Sequence, residues 1–446
     1  MKKHFRLIPA QIIVLSFLVM ISLGTALLML PLSARNGHAP FETALFTATS
    51  AVCVTGLVLQ DTAQYWSGFG QAVILFLIQI GGMGVVTTAV LLMMFSGRKI
   101  GLKQRWVMQE SISAPQVGGI VHMTGMILKT TLATELAGAV LLAFRFCPQY
   151  GFWRGLWFSV FHSVSAFCNA GFDLMGTNGT PFASITAYSA DSLVSLTLAL
   201  LILIGGIGFS TWKDVREHRF RLKRYSLQSK LILSSSLILT AAGFLFLFFY
   251  EFRLPQWQQW DLGHRLTASL FHAVTPRTAG FNTVDLNRLS PGGQLITLML
   301  MLVGGAPGST AGGFKLTTLA VLVLCIRAAF SGRENAGAFG RRISADAVRN
   351  AAAIFTLYIL LFLGSGLFIA CYEGLPLMPV LFETASAIAT VGLSLGITAQ
   401  LSAVSHMILI LLMFFGRVGG LTLIYAVSAS NGPEDSRFPQ ERVAIG

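Results

Sequence analysis

The sequence predicts an all-α polytopic membrane protein. Four parallel repeats, each a span, a short re-entrant helix with its loop and a second span, give eight spans and four re-entrant loops around a pseudo-fourfold axis. Three observations predict this. Hydrophobic residues make up 54% of the 446 residues and charged residues 11%, with a mean hydropathy of +0.71; ordinary globular chains carry roughly a quarter charged residues. A glycine-centred tetrapeptide recurs four times at near-constant spacing. Basic residues collect in alternate connections.

The apolar segments fall into four sets. They run over 10–31, 41–53 and 71–94; 122–144, 153–167 and 192–212; 230–250, 263–275 and 294–325; and 350–371, 377–389 and 402–428. The outer members of each set are long enough to cross a hydrocarbon core of about 30 Å at about 1.5 Å per residue, and the middle members are not. A short apolar helix of that kind is a half-crossing segment. The repeats are expected at 1–96, 97–213, 214–330 with a broken second span, and 331–446 with a C-terminal tail.

Charge placement orients the sets. Lys2, Lys3 and Arg6 precede the first span. Arg98, Lys99, Lys103 and Arg105 lie between sets one and two. Lys213, Arg216, Arg219, Arg221, Lys223, Arg224 and Lys230 follow set two, and Arg327, Arg333, Arg341, Arg342 and Arg349 follow set three. Arg437 and Arg442 follow the last span. Connections within sets hold only Arg35, Arg145, Arg154, Arg253, Arg265, Arg277 and Arg288. By the positive-inside rule both termini and the between-set loops are cytoplasmic. The net charge of +13 is then a topology signal, with no need of a nucleic-acid partner. The apolar run after Arg6 is too long for a signal-peptide core of about 7–15 residues, so it reads as an uncleaved first span. The five cysteines have no metal-site spacing and read as reduced packing residues.

The recurring unit is Val54-Thr55-Gly56-Leu57, Asn169-Ala170-Gly171-Phe172, Thr278-Ala279-Gly280-Phe281 and Thr390-Val391-Gly392-Leu393. Its glycines are 115, 109 and 112 residues apart, and Phe46, Phe161, Phe271 and Phe382 stand about ten residues upstream. All four sets share one orientation, so all four short helices dip in from the outer face. Non-helical backbone at membrane depth must line water or be buried in protein. Four such loops around one axis form a ring of carbonyls that can replace the hydration shell of a cation. The short helices would aim their partly negative C-terminal ends at that axis. Glycine takes the positive-φ conformations that turn carbonyls inward and lets an ion approach the backbone. The candidate filter is therefore the first three residues of each copy, with a cation held by their backbone carbonyls.

Thr390-Val391-Gly392 is similar to the core of a potassium-channel filter. Across the whole chain, span–pore helix–filter–span repeated four times resembles the Trk/Ktr/HKT superfamily of cation-translocating subunits. The stretch Thr275-Pro276-Arg277-Thr278-Ala279-Gly280-Phe281-Asn282-Thr283 is similar to that family's third pore loop. With no extra pair of spans before the first repeat, the chain looks more like a Ktr membrane subunit than a Trk one. The resemblance implies potassium uptake at the cell membrane and a homodimer with one pore per subunit. It also implies gating by a cytosolic nucleotide-binding ring of the RCK type and, often, sodium dependence. Only the fourth copy reads Thr-Val-Gly, so weaker potassium-over-sodium discrimination is expected than in tetrameric channels. In this superfamily four filter glycines favour potassium.

Gly304-Gly305-Ala306-Pro307-Gly308-Ser309-Thr310-Ala311-Gly312-Gly313 interrupts the second span of set three, where no helix continues easily. We read it as an intramembrane gate loop below the filter, with Lys315 either sharing that role or packing. Arg417, inside the last span, is costly at such depth and faces a pore or a partner. The resemblance places such an arginine near the gate loop, as a barrier or latch. Gly81-Gly82 and Gly205-Gly206 read as close-packing points. Asp61, Asp173 and Asp285 either make the outer mouth negative or pair with Arg277 or Arg288. Arg277 reads as a buried structural partner, and Glu135 as a hydrogen-bonding partner of a neighbouring helix.

The rival functions are a sodium-conducting or poorly selective member of the same superfamily and, more remotely, a secondary carrier, which would need buried acids in inverted repeats. No nucleophile–base pair or metal spacing suggests an enzyme; His162 and His272 stand alone in their short helices. The chain carries no GxGxxG unit after a strand, so ATP or ADP would act only through a separate subunit. The basic loops 213–230 and 327–349 would dock that subunit or bind anionic lipid heads.

Overall fold

The computed structural model describes residues 8–95, 101–112, 118–176, 180–219 and 221–428. The basic residues Lys2, Lys3, Arg6, Arg98, Lys99, Arg437 and Arg442, which carry part of the topology argument, lie outside them.

Four long apolar helices stand at the periphery: α1 (Pro9–Leu28), α7 (Ile120–Tyr150), α11 (Leu227–Phe249) and α15 (Ala345–Glu373). Each is long and apolar enough to cross a membrane, although the continuous third segment is counted through Arg253. Their outward faces carry Leu18, Leu136, Leu237 and Leu363 in the open, as lipid-facing helices should. After each comes a short helix: α2 (Phe41–Val52), α8 (Phe152–Phe167), α12 (Leu262–Val274) and α16 (Leu377–Ala389). Phe46, Phe161, Phe271 and Phe382 on these short helices are essentially inaccessible. They anchor the short helices against the spans around them.

The second spans differ from expectation. Only the third was expected to be broken, yet all four are. The first is α4 (Gly68–Met83) and α5 (Val85–Phe95), preceded by the one-turn α3 (Thr62–Tyr65). The second is α9 (Ser192–Gly206) and α10 (Phe209–His218), bent by 96°. The third is α13 (Pro291–Leu302) and α14 (Leu316–Phe330), and the fourth α17 (Ala403–Val418) and α18 (Gly420–Ser428). In three cases one glycine makes the break: Gly84, Gly208 and Gly419 have φ of 88°, 87° and 92°, a conformation that ends a helix and that L side chains avoid. Two further features were not foreseen. A polar helix α6 (Leu102–Ser111) lies between repeats one and two, and a two-residue hairpin pairs Gly337–Ala338 with Arg341–Arg342.

The repeats interlock in a cycle. The upper half of each second span packs on the short helix of the next repeat: α4 on α8, α9 on α12, α13 on α16, and α17 back on α2. Gly81 and Gly205 instead bring their second spans against the short helices of their own repeats. A Cβ at either would strike the carbonyl oxygen of Val52 or Phe167 at the end of a short helix. Glu135 on α7 accepts a hydrogen bond from Gln79 of α4 at 3.2 Å. Cys53 and Cys168 are buried free thiols, whereas Cys371 is exposed on the outward surface and packs no core.

Candidate functional site

The four glycine loops adopt one backbone. The residue two before each glycine is left-handed, at φ 56° for Val54, 59° for Asn169, 70° for Thr278 and 52° for Thr390. Gly56, Gly171, Gly280 and Gly392 follow at 93°, 69°, 78° and 93°. Two positive φ values in three residues cost free energy, of order 1–2 kcal/mol for each non-glycine residue, so the surrounding structure must hold them. A hydroxyl at the C-terminal end of each short helix does so. Ser50 Oγ accepts from the Gly56 N–H at 3.0 Å, and Ser386 Oγ from the Gly392 N–H at 2.9 Å. Ser165 and Thr275 instead donate to the carbonyls of Phe172 and Phe281, both at 2.7 Å. The middle residue is held as well: Thr55, Ala170, Ala279 and Val391 donate their N–H groups to the carbonyls of Ser50, Ser165, Thr275 and Ser386, at 2.7–2.9 Å. These buttresses escaped the sequence reading, though a hydroxyl five or six residues before each glycine was visible there.

The loops meet in a ring that follows chain order. A Cβ on Gly56 would strike the carbonyl oxygen of Ala170; one on Gly171, that of Ala279 at 2.8 Å; one on Gly280, that of Val391; and one on Gly392, that of Thr55. The cycle closes with no room for a side chain at any corner. Asn169 and Thr278 add a side-chain link between adjacent copies at 3.2 Å. On one side of the ring, a vestibule of about 330 Å³ is lined by the four glycines and by Asp61, Asp173 and Asp285.

Among the described residues, the three carboxylates are not paired with arginine. Asp61 caps α3 through the N–H groups of Ala63 and Gln64 and also accepts from Phe182 N–H at 2.7 Å. Arg277 is 7% exposed and donates to Ser236 and Thr240 on α11. Arg288 bonds the Gln256 carbonyl and covers the Trp257 ring.

Directly inside the ring runs the irregular segment of the third repeat. Val303 and Phe314 bridge its two ends, and the Gly304 N–H donates to the Phe314 carbonyl at 2.9 Å. Its middle is tied to other repeats. Ala306 N–H donates to Gly206 O at 2.9 Å, and the Thr310 hydroxyl to Phe167 O at 3.1 Å. Phe209 N–H donates to Gly308 O at 2.8 Å. Ser309 bonds back to Ala306, and Pro307 O lies against Gly208. Gly312 lies against the Thr390 side chain and Gly313 against Ala389. Lys315 turns its ammonium back onto the carbonyls of Ala311 and Gly312, at 2.8 and 3.3 Å. Arg417 donates to Thr310 O, Gly81 O and, at 3.1 Å, Gly82 O. One guanidinium thus joins repeats one, three and four. Lys315, Arg417 and the loop line a second cavity, of about 210 Å³.

A continuous apolar body with a central line of inward backbone is a membrane-transport architecture, and comparison with known proteins agrees. Residues 6–437 match the TrkH family, described as cation transport protein. This chain belongs to that family. Its members are membrane cation transporters rather than enzymes. Among its relatives, the Ktr system potassium uptake protein B of Bacillus subtilis is 39% identical, with 100% of this chain and 98% of that protein covered. The potassium/sodium uptake protein NtpJ of Enterococcus hirae is 37% identical, over 100% of this chain and 99% of its own length. The crystal structure of the potassium transporter TrkH from Vibrio parahaemolyticus superposes with a TM-score of 0.72, covering 95% of this chain and 86% of that one at 21% identity. At that identity the superposition speaks for the fold.

Proposed function

We propose that this TrkH-family chain takes up potassium across the plasma membrane through a channel-like pore on the axis of the four glycine loops. The closed ring of four loops in one strained conformation carries this reading. In it, the carbonyls of Val54, Thr55 and Gly56, of Asn169, Ala170 and Gly171, of Thr278, Ala279 and Gly280, and of Thr390, Val391 and Gly392 replace the water of a bare cation. The aspartates of the vestibule raise the local cation concentration. The uptake named for the Bacillus and Enterococcus relatives supports potassium as the cargo.

Gly304 to Gly313 act as the gate. The loop crosses beneath the ring, and the positive charges of Lys315 and Arg417 oppose cation passage at that depth. Arg417 latches the loop through its three carbonyl bonds. Opening withdraws the loop and both charges together. Four parallel repeats, with both termini cytoplasmic, place basic loops on the inner side. There a homodimer would meet a separate nucleotide-binding ring; ATP or ADP acts through that ring and sodium acts as an activator. The Ktr name of the Bacillus relative, that of a system, supports a separate component.

Flux of potassium, rubidium and sodium in proteoliposomes, for the intact chain and Gly392→Ser, tests the reading. Potassium and rubidium flux that loses its discrimination against sodium in the variant is expected. Flux indifferent to Gly392, or coupled to a solute gradient, would sink it. Equal potassium and sodium flux in the intact chain would favour a poorly selective transporter, the reading that the potassium/sodium name of the Enterococcus relative supports.

A further inference from the structure

On the inner side, away from the ring, Arg105, His122, Lys129 and Arg216 converge on one open pocket. Arg105 comes from α6, His122 and Lys129 from α7, and Arg216 from α10. Among the described residues, the rest of the lining is glycine or apolar, including Ile120 and Met126, and it contains no carboxylate. Among the described residues no acidic side chain pairs with any of the four. Arg105 Nε is buried without a hydrogen-bond partner. Four cationic or protonatable groups gathered without a counterion repel one another, and the arrangement is complementary to an anion.

We propose that this pocket binds the phosphate of an anionic phospholipid from the inner leaflet. The elements around it sit at headgroup level. α6 exposes Leu102 and Trp106, at 72% and 60%, the apolar and aromatic face of a helix lying in the interface. Lys129 is exposed on α7, about 14 Å along the helix from its start at 1.5 Å per residue, a depth from which lysine reaches toward headgroups. A soluble anion would gain nothing from these apolar walls, whereas an acyl chain would lie along them.

The pocket also reaches the loop, and this step rests on reading that loop as the gate. α6 is capped by Ile112, whose carbonyl oxygen touches Gly308 so closely that a Cβ there would collide with it. α10 begins at Phe209, whose N–H donates to Gly308 O at 2.8 Å. The two helices that carry Arg105 and Arg216 therefore meet at one glycine of the loop. A phosphate between the arginines offsets their repulsion and holds both helices in this grip. Bound lipid thus stabilises the loop beneath the ring and lowers basal flux.

Native mass spectrometry of the full chain, incubated with phosphatidylglycerol in mild detergent, tests the site. Retention is compared for Arg105→Gln/Arg216→Gln and for Arg154→Gln/Arg253→Gln, whose arginines are exposed and fall in the within-set connections. Removal of a basic residue near the membrane surface is expected to lower retention about fivefold per arginine in the first variant only. Arg105→Lys/Arg216→Lys should restore most of it, which separates lost charge from a lost fold. Equal retention in the two glutamine variants, or displacement of the lipid by millimolar inorganic phosphate, overturns the lipid site. In proteoliposomes, phosphatidylglycerol added to phosphatidylcholine should slow potassium flux of the intact chain and leave the Arg105→Gln/Arg216→Gln variant unchanged. Arginine-dependent retention with lipid-independent flux overturns the coupling to the loop and leaves the site standing.

Discussion

The ring around Gly56, Gly171, Gly280 and Gly392 uses four nearly interchangeable pieces, whereas the region beneath it uses single ones: one loop, one lysine and one arginine. Around the ring every copy has the same left-handed pair, a hydroxyl buttress and the same neighbour contact, although the hydroxyl accepts in the first and fourth copies and donates in the second and third. Beneath it, three second spans break at a lone glycine and the third opens into Gly304–Gly313. On the proposed reading of a filter above and a gate below, the difference follows from what each region must do. A cation without its water needs ligands from all sides at similar distance, which rewards repetition. A barrier needs one movable piece and something to hold it, and repetition there would only multiply what has to move.

The most damaging way to break the comparison is at the ring. A Cβ at Gly56 would meet the Ala170 carbonyl at φ 93°, so Gly56→Ala combines a clash with roughly 1–2 kcal/mol of backbone strain. Potassium flux should fall by well over an order of magnitude, and if the copies are equivalent Gly392→Ala should match it. Unequal losses would show that the fourth copy, with its Thr-Val-Gly, dominates.

Next in size is Arg417→Gln. It removes charged hydrogen bonds to three carbonyls, each worth about 1.5–3 kcal/mol in stability. Basal flux without a regulator should rise about tenfold or more, with selectivity kept. A rise accompanied by lost selectivity would move Arg417 from the latch to the ring.

Gly312→Ala pushes a methyl into the Thr390 side chain and sharpens the boundary between the regions. It should raise basal flux less than Arg417→Gln, because the latch bonds remain. The smallest effect belongs to Ser50→Ala and Ser386→Ala, which remove the acceptors of the Gly56 and Gly392 N–H groups at about 1 kcal/mol each. Both should soften potassium-over-sodium discrimination by a similar few-fold factor in the same flux assay.

Most of the repeated half was legible in the sequence. A left-handed turn demands glycine, so the ring left a mark at a fixed period, and the short helices betrayed themselves by length. The single-glycine breaks at Gly84, Gly208 and Gly419 were not legible, because an isolated glycine inside an apolar run is usually tolerated within a helix. Helix α6 was missed for the opposite reason. It is short and polar, and only its tertiary contacts with α1, α5 and α7 reveal its place. Arg417 was found because charge at depth is conspicuous, but its three carbonyl partners come from segments more than 100 residues away and no spacing could announce them.

The most direct test of the central claim is anomalous diffraction from crystals grown in rubidium. If the ring is the selectivity filter, a peak should lie on the axis, among the carbonyls of Thr55, Ala170, Ala279 and Val391, and should vanish in Gly392→Ser. Rubidium found only among the vestibule aspartates, or at a buried carboxylate such as Glu135, with none in the ring, would contradict it.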